Sequence, residues 1–138
     1  MKPVLLDTGV IVAWLDRSER RHGDCVRALD GIDTPLITCE AVIAEACYLT
    51  RKLPGAAEAI LQNVASGAFQ IPIALATCAP AIQRILRKYR DHEVDLADAC
   101  LIHLASELRT GEILTLDRDF AFYRWGANRP FQALVPVR

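Results

Sequence analysis

The sequence predicts an α/β fold, a three-layer α/β/α sandwich around a mainly parallel sheet of four or five strands. Short apolar runs typical of buried strands recur along the 138 residues, and helical stretches of about ten residues or more separate them. Parallel strands need such long crossovers, which place helices on both faces of the sheet. Because 52% of the residues are apolar, one compact core can form, and we expect a single domain over residues 1–138.

The predicted strands are short and end at turn residues. The first stops at Asp7-Thr8-Gly9. The third meets Pro72, which marks either an edge strand or the end of the strand, because proline cannot donate a ladder hydrogen bond. The candidate strands are Pro3–Leu6, Leu36–Thr38, Phe69–Ile71, Glu112–Leu116 and Phe131–Val135.

The predicted helices follow from apolar residues at helical spacing and from stop signals. Pro54-Gly55 ends the third helix, Ser66-Gly67 ends the fourth, and Gly111 closes the last. The candidate helices are Val10–Leu15, Arg20–Leu29, Thr38 or Cys39 to about Leu53, Ala56–Ala65, Thr77–Arg90 and Asp95–Arg109.

Charge and cysteine content limit the classes of protein. A net charge of -1 lacks the basic field of a strong nucleic-acid binder. Arginine supplies nearly all of the positive charge, which suits phosphate binding but equally fits a general bias towards arginine. The cysteines form no C-x-x-C pair and are interpreted as small core residues. They are Cys25, Cys39, Cys47, Cys78 and Cys100.

The chain shows no secretory signal pattern at its start and no apolar run long enough to span a bilayer. We therefore expect a soluble protein in the reducing cytoplasm, without membrane association.

Four acidic residues, Asp7, Glu45, Asp98 and Asp117, lie inside or at the ends of apolar segments. Burying a charged carboxylate is unfavourable unless a cation or a proton neutralises it. Asp7 and Asp117 follow predicted strands, so both should lie at the sheet edge where open α/β folds bind ligands. The sequence therefore predicts that these acids converge in one cleft.

The two helical acids are predicted to face inward. Glu45 shares a helix face with Val42 and Leu49, which points its carboxylate towards the core. Asp98 precedes Leu101 and similar apolar residues in the same way.

Each acid also has a structural interpretation. Asp7 and Asp117 could start turns or cap helices. Asp98, in the first turn of its helix, could interact favourably with the helix dipole. Asp95 is best explained as a helix cap. The four acids together indicate a functional site more strongly than any one of them does, because several carboxylates a few Å apart raise one another's pKa or recruit a cation. A ligand set of oxygens alone suits Mg²⁺ or Mn²⁺ and disfavours zinc.

Four segments, in order and at suitable spacing, resemble the PIN-domain ribonucleases, in particular the VapC-type toxins of bacterial toxin–antitoxin pairs. The segments are VLLDTGVIVA (4–13), VIAEA (42–46), DLADACLI (95–102) and ILTLDRDF (113–120). The resemblance implies a PIN-like fold and an endoribonuclease that leaves 5′-phosphate and 3′-hydroxyl ends. It assigns Asp7, Glu45, Asp98 and Asp117 as the acids that bind Mg²⁺ or Mn²⁺.

The resemblance also implies supporting residues and partners. Thr8 and Thr115 would be hydroxyls that orient the acids. An antitoxin and a second copy of the chain, forming a homodimer, would use the apolar helices between Ala41 and Ala65. From position alone, Arg118 is the nearest cation for the RNA substrate, and Asp119 lies either on the rim of the site or in an ion pair with Arg118.

Other cationic and aromatic residues have two interpretations. Arg84, Arg87 and Lys88 form a helix face that could bind RNA or simply face solvent. Tyr123 and Trp125 could stack on a base or fill the core.

Two other functions remain open on the sequence. A haloacid-dehalogenase-like phosphatase also has a strand-end aspartate, but it needs a second acid two residues later, where this chain has Gly9. A non-catalytic scaffold could keep the fold and bind a partner protein, although it would have no need for all four acids.

Overall fold

The computed structural model describes residues 2–136, and its centre is a five-stranded parallel sheet. The strands of this sheet are β1 (Val4–Leu6), β2 (Leu36–Ile37), β3 (Phe69–Gln70), β4 (Glu112–Leu114) and β7 (Gln132–Ala133). Their order is β3-β2-β1-β4-β7, and every neighbouring pair is parallel. The predicted mainly parallel sheet is confirmed, including the edge position of the strand before Pro72.

Helices connect the strands and flank the sheet. They are α1 (Thr8–Leu15), α2 (His22–Asp30), α3 (Glu40–Leu49), α4 (Ala56–Ala65), α5 (Leu75–Lys88) and α6 (Leu96–Leu108), with 3-10 turns at Arg90–His92 and Arg118–Ala121. The prediction for α3 was too long, because the helix ends at Leu49 and the chain then passes through turns over residues 50–55. The prediction for α5 began too late, since the helix starts at Leu75 and contains Pro80.

The core is built around β1, β4 and α6, and the other five helices also contribute buried side chains to it. Leu5, Leu6, Ile113 and Leu114 are fully buried in β1 and β4. Every residue of α6 from Ala97 to Ala105 is buried, so this helix is enclosed for most of its length. Truncating such a leucine or isoleucine to alanine costs about 2–5 kcal/mol. Four of the five cysteines are buried and all are free thiols, as their interpretation as core residues predicted.

A short hairpin near the C-terminus was not predicted. It consists of β5 (Arg124–Trp125) and β6 (Arg129–Pro130), which pair antiparallel. The Trp125 indole packs over Gly111 and donates to the carbonyl of Pro130 (3.0 Å). A Cβ at Gly111 would lie 2.3 Å from the Trp125 Nε1, so only glycine fits there.

The strand order places the candidate site. From β1 the chain builds the sheet outward through β2 to β3, and it then returns to the other side of β1 to add β4 and β7. The order therefore reverses between β1 and β4, and open α/β sheets bind ligands beyond the carboxyl ends of strands at such a point. Among the described residues, no helix is long and apolar enough to cross a membrane.

Candidate metal centre

Three of the four predicted acids meet beyond β1 and β4. Asp7, Asp98 and Asp117 each offer a carboxylate oxygen, and these oxygens lie within 4.8 Å of one another. Asp7 follows β1 and caps α1, and Asp117 caps the 3-10 turn that follows β4. Asp98 enters from the first turn of α6. The capping functions considered for the two strand-end aspartates are real, and they coexist with the cluster.

Asp7 is fixed from two sides. Its Oδ1 accepts from the backbone N–H of Thr8 (2.8 Å), and its Oδ2 accepts from the Thr115 hydroxyl (2.7 Å). The same Thr115 oxygen accepts from the backbone N–H of Asp117 (3.0 Å). Thr115 is fully buried. Its hydroxyl connects the Asp7 carboxylate, at the end of β1, with the backbone of Asp117, which follows β4.

Asp98 is buried and accepts a hydrogen bond from the hydroxyl of Tyr123 at its Oδ2 (3.2 Å). Asp95 caps α6, because its Oδ1 accepts from the backbone N–H of Asp98 (2.8 Å). The predicted cap is therefore confirmed, and Asp95 also lines the cleft.

Glu45 occupies a different place from the one predicted. It is exposed rather than directed into the core, because Val42, Ile43 and Ala46 occupy the buried face of α3. Its Oε1 accepts from the Thr8 hydroxyl (2.6 Å), so the carboxylate lies at the cleft mouth. It is outside the group of three converging acids.

The cleft has a volume of about 270 Å³. Its lining residues are Asp7, Thr8, Gly9, Glu45, Leu49, Asp95, Asp98, Leu116 and Asp117. A larger cavity of about 580 Å³ lies between α5 and α6, but its lining contains none of the four acids. The converging carboxylates line the smaller cleft, which is therefore the candidate site.

Asp119 and Arg118 lie beside the cleft and are both exposed. The backbone N–H of Asp119 donates to Asp117 Oδ1 (2.9 Å), so this residue orients Asp117 through its main chain. The sequence had pointed only to its side chain.

Burial and mutual repulsion act on the three converging carboxyls. Burial raises the pKa of Asp7 to about 6, although the hydrogen bond from Thr115 opposes this shift. Burial, followed by the charges of Asp95, Asp7 and Asp117, raises the pKa of Asp98 to about 8. The pKa of Asp117 is also raised, mainly by burial. The environment of the cleft therefore disfavours the charged forms of these three carboxyl groups.

The donor set fits a hard divalent cation. Three carboxylates can each offer an oxygen to one point, and no imidazole or thiolate belongs to the cluster. Mg²⁺ and Mn²⁺ prefer such oxygen ligands and keep open positions for water or phosphate. A cation would also offset the burial and the repulsion that together raise the pKa values of these aspartates.

Sequence reasoning missed the connection from Tyr123 to Asp98. Tyr123 and Trp125 are both buried, so the interpretation of these residues as core is confirmed and neither ring is available to stack on a base. The available signal was the apolar and aromatic character of the segment after Asp117, but a sequence does not show which carboxylate a tyrosine meets.

Comparisons with known proteins agree with this architecture. The sequence model of the PIN domain matches residues 4–125. Ribonuclease VapC26 of Mycobacterium tuberculosis is 34% identical over 140 residues, covering 97% of this chain and 93% of that protein. The crystal structure of Mycobacterium tuberculosis VapC20, a toxin that cleaves the sarcin-ricin loop, matches with a TM-score of 0.78 and 19% identity, covering 86% of this chain and 93% of VapC20. The extent of the domain match and the identity to VapC26 show that the chain belongs to the PIN-domain family.

Proposed function

We propose that this protein is an endoribonuclease that hydrolyses RNA phosphodiester bonds with Mg²⁺ or Mn²⁺, and that it is the toxin of a toxin–antitoxin pair. The observation that carries the proposal is the convergence of the Asp7, Asp98 and Asp117 oxygens within 4.8 Å at the switch point of the sheet. The relative VapC26, at 34% identity over nearly the whole chain, is a ribonuclease and supports it.

Each residue has a defined task in this proposal. Asp7, Asp98 and Asp117 hold the cation, and Thr115 keeps Asp7 oriented through its hydrogen bond. Glu45, at the cleft mouth and held by Thr8, either completes the ligand set or positions the attacking water. Together these residues form the catalytic set.

The bound cation would lower the pKa of a water molecule and polarise the phosphodiester. The family resemblance implies that the 3′ oxygen leaves, giving 5′-phosphate and 3′-hydroxyl ends. Arg118, exposed beside the cleft, is positioned to approach a substrate phosphate, and Asp119 orients Asp117 from the rim.

The direct test is cleavage of labelled RNA by the purified protein in Mn²⁺, with and without excess chelator. Asp7→Asn keeps the side-chain shape but removes a charge, so we expect cleavage to fall by about a thousandfold or more. Asp33→Asn is the matched control, because Asp33 is an exposed aspartate outside the cleft lining. Unchanged cleavage in Asp7→Asn would remove the metal assignment.

The chelator arm of the same assay separates the enzyme from a non-catalytic scaffold. A scaffold would cleave in neither condition, whereas the proposed enzyme cleaves only with the cation. The haloacid-dehalogenase-like alternative has no support, because Gly9 occupies the position where that chemistry needs an acid.

We further propose that the chain is a single domain, that it acts in the cytoplasm, that it forms a homodimer, and that it binds an antitoxin over α3 and α4. An amphipathic peptide helix could dock on such a surface. Co-expression with the product of a small reading frame immediately upstream of the gene, followed by co-purification, tests the antitoxin. Sedimentation of the purified chain tests the dimer, and a monomer across the micromolar range would contradict it. Sequencing the 5′ ends produced after brief expression would identify the RNA.

A further inference from the structure

We propose that Tyr48 and Arg51 form a binding site for single-stranded RNA at the mouth of the acidic cleft, where Tyr48 stacks on a base and Arg51 neutralises a phosphate. The inference rests on the proposed ribonuclease function and names the residues that hold its substrate beside the carboxylates. None of the four segments that resemble the family contains either residue.

The position of Tyr48 follows from the geometry of α3. Glu45 and Leu49 both line the cleft. Residues three and four apart are neighbours on a helix surface, so Tyr48 lies beside Glu45 and directly before Leu49. Tyr48 is therefore adjacent on α3 to two residues that line the cleft, while its own side chain lies outside the lining.

Tyr48 and Arg51 are held together as a pair. The guanidinium carbon of Arg51 lies 4.0 Å from the centroid of the Tyr48 ring, and Arg51 Nη1 donates to the backbone carbonyl of Tyr48 (2.8 Å). Tyr48 is nonetheless 61% exposed, although burying an aromatic ring would be favourable. An exposed aromatic ring with a fixed guanidinium presents both a stacking surface and a positive charge, which is the combination that binds single-stranded nucleic acid.

The charge of the cleft makes such a site necessary. Phosphate contacts dominate affinity for nucleic acid, and a cluster of carboxylates repels phosphate. Arg51 and Lys52 are both exposed in the turn that follows α3. They place positive charge just past the end of α3, six and seven residues beyond Glu45, where a strand entering the cleft can use it.

The test is fluorescence anisotropy of a labelled single-stranded RNA, with chelator present so that no cleavage occurs. Replacing a stacked aromatic weakens binding by about tenfold or more, so Tyr48→Ala should raise Kd by that factor. Tyr48→Phe should bind like the parent protein, because stacking uses the ring. Leu75→Ala is the control for loss of exposed apolar surface, since Leu75 at the start of α5 is 45% exposed and lies outside both the cleft lining and the proposed antitoxin surface.

Arg51 is tested through salt dependence. If it neutralises one phosphate, Arg51→Ala should reduce the slope of log Kd against log salt by about 0.7, the value for single strands, and Tyr48→Ala should leave that slope unchanged. Arg17→Ala is the matched control. Arg17 is exposed and follows the C-terminal end of α1, whereas the cleft lies at the N-terminal end of that helix. In Mn²⁺ cleavage assays, both variants at the proposed site should raise KM far more than they lower kcat.

Failure of the RNA site at Tyr48 and Arg51 can be distinguished from failure of the proposed ribonuclease function. If the parent protein cleaves RNA and Tyr48→Ala binds and cleaves like it, the RNA site is wrong while the ribonuclease stands. If Tyr48→Ala changes only the sedimentation of the protein, the ring contacts a second copy of the chain and the RNA site is again wrong. If the parent protein cleaves nothing in Mn²⁺, the ribonuclease proposal itself fails.

Discussion

The acidic cleft and the aromatic cluster beside it make opposite contributions to stability. The aromatic cluster comprises Tyr89, Phe120, Phe122 and Tyr123, whose rings meet edge to face; the Tyr123 centroid lies 5.1 Å from those of Tyr89 and Phe120. Such packing stabilises the fold. The cleft instead gathers carboxylates whose charged forms burial and repulsion disfavour. The two regions touch where the Tyr123 hydroxyl donates to Asp98.

This difference shows how a small domain can carry an unfavourable site. The aromatic cluster and the enclosed helix α6 stabilise the fold through apolar packing. Holding the carboxylate oxygens close together for a cation lowers the stability of the metal-free protein. Substitutions, pH and metal can perturb the two regions separately, and the expected effects on stability differ in size.

The largest effect is expected in the aromatic cluster. Phe120 is 2% exposed, so Phe120→Ala should lower the free energy of unfolding by about 3–5 kcal/mol in urea titrations. Phe122→Ala, two residues away and 51% exposed, is the control and should lose much less. Equal losses would mean that the cluster does not stabilise the fold through burial.

The second effect concerns the pH dependence of the metal-free protein. Folding raises the pKa of Asp7 from 3.8 to about 6 and that of Asp98 from 3.8 to about 8, so the folded state binds more protons between those limits. Stability from these groups is present below pH 4 and lost as the pH rises towards 8. We expect the free energy of unfolding to fall by on the order of 3 kcal/mol between pH 4 and 8.

Urea unfolding at several pH values measures this slope. Asp98→Asn removes one ionisable group and should flatten it, whereas Asp33→Asn on the surface should not. Stability that rose with pH in the metal-free protein would contradict the electrostatic account of the cleft.

The third effect is stabilisation by the cation. Mn²⁺ at about 100 times its Kd should add about 2.7 kcal/mol to the free energy of unfolding, because it binds the folded state alone. The gain should grow as the pH rises, since protons compete for Asp7 and Asp98. Calorimetric titration gives the Kd, and an Asp98→Asn protein that bound Mn²⁺ as tightly as the parent would exclude Asp98 as a ligand.

The smallest effect tests the contact between the two regions. Tyr123→Phe removes one hydroxyl and should cost about 1 kcal/mol of stability. It should also weaken Mn²⁺ binding several-fold, because Asp98 loses the group that orients it. Tyr89→Phe is the matched control: its hydroxyl accepts from the backbone N–H of Arg124 (2.9 Å) and touches no acid, so stability should fall while Mn²⁺ affinity is unchanged.

Local patterns explain why much of the fold could be predicted. All five strands of the sheet lie where apolar runs end at turn residues, as at Asp7 and before Pro72. The β5–β6 hairpin was missed because it contains no apolar run: its strands are Arg124–Trp125 and Arg129–Pro130, and only Trp125 is buried. The end of α3 was misplaced because the first stop signal in the sequence is Pro54-Gly55, whereas the chain already leaves the helix after Leu49 and forms turns over residues 50–55.

By itself, the sequence determined the α/β class, the positions of the sheet strands and the four acids worth examining, because strand and helix periods and turn residues are local properties. Only the tertiary structure decided which acids meet. Thr115 reaches Asp7 across 108 residues of chain because β4 pairs with β1, and Glu45 stays at the mouth because of the way α3 packs. Distances between residues far apart in sequence depend on strand order and helix rotation, which no single segment encodes.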